Sequence, residues 1–141
     1  MFLGCNKTLT GLNGTFHSPR FPGKYPDGQL CSWKIQVPAN HTIHVNFTSF
    51  SLAVENGNEV DVLEYYRSTN DSLELVKAYR GRMGSFKVNS TGDLVFVFRS
   101  NQANSSSGFH AEYHIILNEG EIFSINLLLQ CCINHSIFKL Y

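Results

Sequence analysis

The side chains best suited to chemistry in this sequence are asparagine carboxamides. Asn-x-Ser/Thr triplets begin at Asn6, Asn13, Asn40, Asn46, Asn70, Asn89, Asn104 and Asn134. In such a triplet the carboxamide nitrogen is the acceptor for an N-linked oligosaccharide, a reaction of the secretory pathway. Thirteen asparagines and 21 serines or threonines in 141 residues predict about two such triplets by chance. Eight is a fourfold excess, which points to a glycoprotein facing the extracellular or lumenal side of a membrane. In that compartment Cys5, Cys31, Cys131 and Cys132 read as disulfide-capable, with three possible pairings. Cys131 and Cys132 are adjacent, and vicinal cysteines seldom bond each other, because the ring they would close is strained.

The other candidate groups lead to no reaction. His41 and His44 are three apart in a turn–strand region, where side chains face opposite sides. His110 and His114 share a strand face but lie two steps apart, too far for one metal ion. The sequence has no Cys-x-x-Cys, His-Glu-x-x-His or Gly-x-Ser-x-Gly motif, and its serines gather in sequons and turns. These features argue against an enzyme. Lys+Arg and Asp+Glu are equal at 11 each, which disfavours nucleic acid or an anionic membrane surface as a partner. No apolar run reaches membrane-spanning length. Met1-Phe2-Leu3-Gly4 lacks the charged and apolar regions of a signal peptide, so the chain reads as a piece of a longer precursor.

The elements that must carry these groups are strands. Cys31, Trp33, Ile35 and Val37 alternate with Ser32, Lys34 and Gln36, a period of two with one face in a core. After the turn Pro38–His41, Ile43, Val45 and Phe47 alternate with His44, Asn46 and Thr48. The short connection predicts an antiparallel hairpin between these two runs. Phe50 and Leu52 fall on the other parity, which predicts a bulge or strand end near Ser49. Further strands are read over Val60–Tyr66, at Phe86 and Val88, over Leu94–Phe98 as a central strand covered on both faces, and over Phe109–Leu117. Leu73–Tyr79 is ambiguous, and Arg67–Ser72 reads as a polar loop. Residues 5–30 are rich in glycine and proline and hold no useful helix. Phe47, Phe50, Phe96, Phe98 and Phe109 are core candidates. Tyr65, Tyr66 and Tyr79 are weighed as half-buried sheet residues against an exposed binding face. Many short strands separated by turns imply an antiparallel β-sandwich or barrel over the first 117 residues. Residues 118–141 form an apolar tail of a different style, read as an added helix, a stray strand or sequence not selected to pack.

Taken in order, these features resemble the CUB domain of extracellular proteins. Cys5 is followed by Gly14-Thr15-Phe16-His17-Ser18-Pro19, then Phe21-Pro22-Gly23-Lys24-Tyr25-Pro26, then Cys31-Ser32-Trp33-Lys34-Ile35. Asp61-Val62-Leu63-Glu64 and Gly108-Phe109-His110-Ala111-Glu112-Tyr113 complete the series. The resemblance covers about residues 5–116. It divides the chain into a remnant (1–4), one domain (5–117) and the tail (118–141). The fold it implies is all-β, a two-layer antiparallel sandwich of jelly-roll type.

The resemblance also implies a Cys5–Cys31 disulfide, worth roughly 3.5 kcal/mol for a loop of that length. The family's second disulfide is missing, its positions being Asn58 and Arg80, which puts the rigidity of residues 55–82 in question. Cys131 and Cys132 are then left free or available for intermolecular bonds. Many CUB domains bind calcium through three acidic residues, here Ala53, Asp61 and Asn101. One carboxylate and one amide argue against calcium as a cofactor, even with Glu55 and Glu59 nearby. Asp61 is then read as a carboxylate satisfied by loop amides, at a degenerate calcium and partner-binding edge. The function implied is a non-enzymatic protein-binding module in a larger secreted or membrane-anchored glycoprotein, its extracellular protein ligand unidentified. The alternatives are a free-standing binder of glycans and proteins like the spermadhesins, or a truncated product with no function of its own.

Overall fold

The structure, a computed structural model, describes residues 5–120 and 126–131. Its strands in chain order are β1 (Lys7–Leu9), β2 (Asn13–His17), β3 (Leu30–Ile35), β4 (His41–Ser51), β5 (Val54–Glu55) and β6 (Asn58–Glu59), then β7 (Val62–Thr69), β8 (Ser72–Tyr79), β9 (Arg82–Met83), β10 (Phe86–Ser90), β11 (Leu94–Arg99) and β12 (Gly108–Leu117). One five-stranded sheet runs β1-β3-β11-β7-β8. The facing sheet runs β10-β4-β12-β2, with β9 paired to β4, and β5–β6 is a small separate hairpin. The architecture is the two-layer sandwich of jelly-roll type. Its pairs are antiparallel except β1–β3, which is parallel.

Strand alternation accounts for the core. Trp33, Ile35, Leu63, Tyr65, Leu94, Phe96 and Phe98 point inward from the first sheet, and Phe16, Ile43, Val45, Phe47, Phe109, Ala111, Tyr113 and Ile115 from the second. Rings interlock across the gap: Phe16 lies 5.3 Å from Phe96 and 5.7 Å from Trp33, and Trp33 meets Phe109 edge-on at 5.4 Å. Tilted and edge-on ring pairs of this kind add to the stabilisation from area burial. Tyr65 and Tyr79 belong to this core, while Tyr66 faces outward and is half-buried.

Several expectations are corrected. The runs at 30–35 and 41–51 do not form a hairpin, because β3 and β4 lie in opposite sheets. Alternation decides which face a strand buries, not which strand lies beside it. At the end of β3 the Val37 amide donates to the Asp93 carboxylate at 2.8 Å, and Pro38 has no amide to continue a ladder. The chain then turns through Asn40 (φ 61°) into the other layer. The polar loop at 67–72 is instead a tight hairpin turn, with Asn70 and Asp71 both at positive φ, and the ambiguous 72–79 run is the edge strand β8. Two short strands, β1 and β2, occupy the segment read as turns only. The central strand β11 is covered by a second layer on one face only; on its other face Val95, paired with Lys34 and Tyr66, is buried and Val97, paired with Ser32 and Glu64, is half-buried. The bulge expected near Ser49 is present: Ser49 and Phe47 of β4 face the consecutive residues His110 and Ala111 of β12.

Gly108 fixes the entry to β12. Its φ is +80°, and a Cβ there would fall 1.8 Å from the Ser18 hydroxyl oxygen. Ser18 is fully buried, and its hydroxyl accepts the Phe109 amide at 3.0 Å. Gly108→Ala therefore combines an unfavourable backbone conformation with an overlap in a closed site. We expect a loss of about 2–3 kcal/mol in urea unfolding; a loss below about 0.5 kcal/mol would contradict this.

In the tail, residues 126–131 are helical and exposed, including Leu127, Leu128 and Leu129. Cys131 is free and exposed, whereas Cys132 and Asn134 lie outside the described residues.

Candidate functional site

The loop end of the sandwich is organised by one buried carboxylate. Asp61 is fully buried just before β7. Its Oδ2 accepts the Tyr25 hydroxyl at 2.5 Å, and its Oδ1 accepts the Asn101 amide at 2.8 Å. The Tyr25 oxygen in turn accepts the Ala53 amide at 2.8 Å. One carboxylate thus ties together three segments far apart in sequence: the proline-rich stretch around Tyr25, the end of β4, and the loop after β11. The same segments are also sewn by backbone. The Gly28 amide donates to the Asn101 carbonyl at 2.6 Å and the Tyr25 amide to the Ser106 carbonyl at 3.1 Å. Proline φ restriction and the cis Phe21–Pro22 peptide shape the strap that carries Tyr25.

Burial first, and then the hydrogen bond to Asp61, push the Tyr25 hydroxyl well above its ordinary value near 10. The phenol stays neutral and donating when the unfolded chain would already ionise. A group whose folded pKa is raised contributes stability that is intact below the unfolded value and is lost as pH rises past it. Stability is therefore expected to fall above pH 10, and to fall less steeply in Tyr25→Phe. Equal slopes in the two proteins between pH 9 and 11, read by urea unfolding, would refute this assignment.

The residues here do not fit a calcium ion. Ala53 offers no side-chain oxygen, and both Asp61 oxygens are engaged by protein donors. The Asn101 side-chain oxygen accepts the Ala103 amide at 3.1 Å. Glu55 lines a shallow polar cleft of about 330 Å³ with Arg82, Asn104 and Ser106, and the Glu59 carboxylate lies over Gly81. Among the described residues no three His, Cys, Asp or Glu side chains gather closely enough to hold a metal. At the positions of the absent second disulfide, Arg80 donates to the Glu59 carbonyl at 3.3 Å. The segment is further held by the β5–β6 hairpin and by the Leu52 amide on the Gly81 carbonyl.

Cys5 and Cys31 are joined, which pins the strand-poor N-terminal segment to β3. The sequons are spread unevenly. Asn13, Asn46 and Asn89 all project from the outer face of the β10-β4-β12-β2 sheet. Asn13, His114, His44 and Asn89 form one cross-strand row over its four strands. In that row the His44 and His114 rings stack at 5.0 Å, and His44 Nδ1 bonds the Asn89 side-chain oxygen at 2.9 Å. His110 stacks with His17 across the β2–β12 pair, not with His114. Such pairings depend on register between distant strands, and no local spacing signals them. Asn40, Asn70 and Asn104 sit in turns at positive φ, and the Asn6 side-chain oxygen accepts the Ser32 amide and hydroxyl. The opposite sheet has one described sequon at its outer face, Asn6 beside Ser32; the rest of that face presents Lys34, Glu64, Tyr66, Val95 and Val97.

Comparison with known proteins agrees with this geometry. The family model for the CUB domain matches residues 5–113. Human membrane frizzled-related protein is 38% identical over 114 residues, 79% of this chain and 20% of that protein. Human cubilin is 35% identical over 115 residues, 81% of this chain and 3% of that protein. The extracellular region of zebrafish Gpr126/Adgrg6 superposes with a TM-score of 0.68 at 31% identity, covering 80% of this chain and 15% of that structure. The chain spans about a fifth, or less, of the curated relatives it matches.

Proposed function

From the premise that this chain belongs to the CUB domain family, we propose that it is a non-enzymatic extracellular recognition module of a larger glycoprotein. The domain is proposed to span residues 5–117, with residues 118–141 outside it. The observation that carries this reading is the Asp61 network. Its one buried carboxylate spends both oxygens on holding three loops in place, which suits a rigid platform and leaves that carboxylate no free oxygen. Preorganised loops lower the entropy lost on binding a protein partner. Among the described residues no helix is long and apolar enough to cross a membrane.

N-glycans at Asn13, Asn46 and Asn89 would cover one sheet face; the opposite face has only Asn6 among the described sequons, beside Ser32, and the loop-end cleft only Asn104, so the proposed contact surface is what those two glycans leave uncovered. The remaining sequons, Asn6, Asn40, Asn70, Asn104 and Asn134, belong to the same proposal, with edges and turns as their places where they are described. The proposed ligand is an extracellular protein, with a glycan as the alternative. Calcium is not part of the site: a calorimetric dissociation constant below about 100 μM would contradict that.

The test is a binding screen of the secreted, glycosylated chain against extracellular proteins and glycans. Saturable binding to a protein, weakened by substitutions in the loop-end cleft such as Arg82→Glu, is the expected result. Binding to glycans alone would favour the free-standing binder. Intracellular retention with no binding would overturn the recognition role.

A further inference from the structure

The edge strand β8 is unlike the other exposed edges of the molecule. Every residue from Ser72 to Ala78 is exposed, and Leu73, Leu75 and Val76 are among them at 56%, 51% and 44%. An edge strand with apolar side chains offers its free backbone groups to another strand. Natural edges usually guard against this with a bulge or a charge. β8 has both, yet their placement makes the strand complementary to itself.

The bulge lies at Val76. Leu63–Tyr65 pair with Tyr79–Lys77, whereas Tyr66–Thr69 pair with Leu75–Ser72, so Val76 is the additional residue. Paired residues of neighbouring strands share a face. Leu73, Leu75 and Ala78 therefore lie on the outer side with Ser68, Tyr66 and Glu64, while Glu74 and Lys77 lie on the core side with Arg67 and Tyr65. In a regular strand residues three apart, such as 74 and 77, fall on opposite faces. The extra residue brings Glu74 and Lys77 to one face.

We infer that β8 pairs antiparallel with β8 of a second copy, about a two-fold axis between Leu75 and Val76. This register sets Glu74 opposite the partner's Lys77, and Lys77 opposite the partner's Glu74. Leu73 faces Ala78, Leu75 faces Val76, and Ser72 faces Tyr79, with each pair outside the bulge on a common side. The bulge of one strand meets the bulge of the other, so neither interrupts the ladder alone. Other registers fail on face or charge. An axis through Glu74 sets like carboxylates together, one through Lys77 sets like ammonium groups together, and one through Leu75 opposes Leu73 to Lys77, which lie on opposite faces. The cross-strand row Lys34–Val95–Tyr66–Leu75 would continue into the second copy, joining two five-stranded sheets into one of ten. The three strand-borne sequons project from the other sheet; the sequon beside this edge is Asn70, in the turn that precedes Ser72 and outside the paired span Ser72–Tyr79.

Sedimentation equilibrium of the secreted, glycosylated chain over about 1–100 μM tests this against ordinary affinities. A monomer–dimer equilibrium is expected. Glu74→Lys or Lys77→Glu alone should weaken it by about tenfold or more, since each places like charges opposite one another twice per dimer. The double variant Glu74→Lys/Lys77→Glu should restore the dimer to within about threefold. Thermal melts of all four proteins show whether fold is preserved. Hydrogen exchange is a second measurement, with β8 amides expected to gain protection as concentration rises. A chain monomeric at every concentration, or a dimer indifferent to the single changes, or one not restored by the double change, overturns the inference. None of these outcomes bears on whether the loop end binds a protein ligand.

Discussion

Replacing Asp61 by alanine is expected to destabilise the domain by about 3–5 kcal/mol. The size follows from what is left behind. The Tyr25 hydroxyl loses its acceptor in a buried site, and the Asn101 amide loses its own in a partly buried one. An unsatisfied buried donor costs about 1–3 kcal/mol each. The Ala53 amide depends on the orientation of the same tyrosine, so its bond is weakened as well. Asp61→Asn should cost less, about 1–3 kcal/mol, because one carboxamide oxygen still accepts while its NH₂ meets another donor. Urea unfolding with an unchanged slope reads both values. A loss under about 1 kcal/mol for Asp61→Ala would mean that the carboxylate does not organise the loop end, and the platform argued for recognition would lose its foundation.

The second large effect is expected at the disulfide. Cys5 and Cys31 are 26 residues apart in sequence. Closing a loop of that length restricts the unfolded chain by an amount equivalent to roughly 3.5 kcal/mol. The double variant Cys5→Ala/Cys31→Ala should lose about that much and melt about 10 °C lower. Cys31 is fully buried beside Trp33, so the smaller alanine adds some loss of packing. The bridge also holds β1, whose three residues pair only with β3. Reductant should lower the melting point of the wild type toward that of the variant and leave the variant unmoved. A reductant effect of equal size in both proteins would place the stabilising bond elsewhere.

The parity of a strand was legible wherever one face is buried, as at Cys31–Ile35, Ile43–Phe47 and Phe109–Ile115. There the sequence itself records in and out. The bulge was legible for the same reason, since Phe50 and Leu52 change parity within a single strand. Pairing was less legible. The Cys31–Val37 run reads as a hairpin partner of the Ile43–Thr48 run because they are neighbours in sequence, but their strands pair with β11 and β12, which lie far along the chain. β8 was ambiguous because an edge strand exposed on both faces needs no alternation, and its bulge breaks what alternation it has.

At the candidate site Asp61 stood out by its place in the Asp61–Glu64 motif, and its reading as a carboxylate held by loop amides is close to what the geometry shows. Its principal donor was missed. Tyr25 lies 36 residues away in a proline-rich strap, and nothing local marks its hydroxyl as a partner for Asp61 or Ala53.

Sequon spacing, strand parity and the ordered motifs of a CUB domain are legible without coordinates, because each is written in residues close together along the chain. Tertiary structure alone decided that three of those sequons share one sheet face, that histidines from different strands stack, and that a single carboxylate joins Tyr25, Ala53 and Asn101. Those facts depend on which distant strands lie side by side and in which register, and that is set by the joint packing of two sheets around one core.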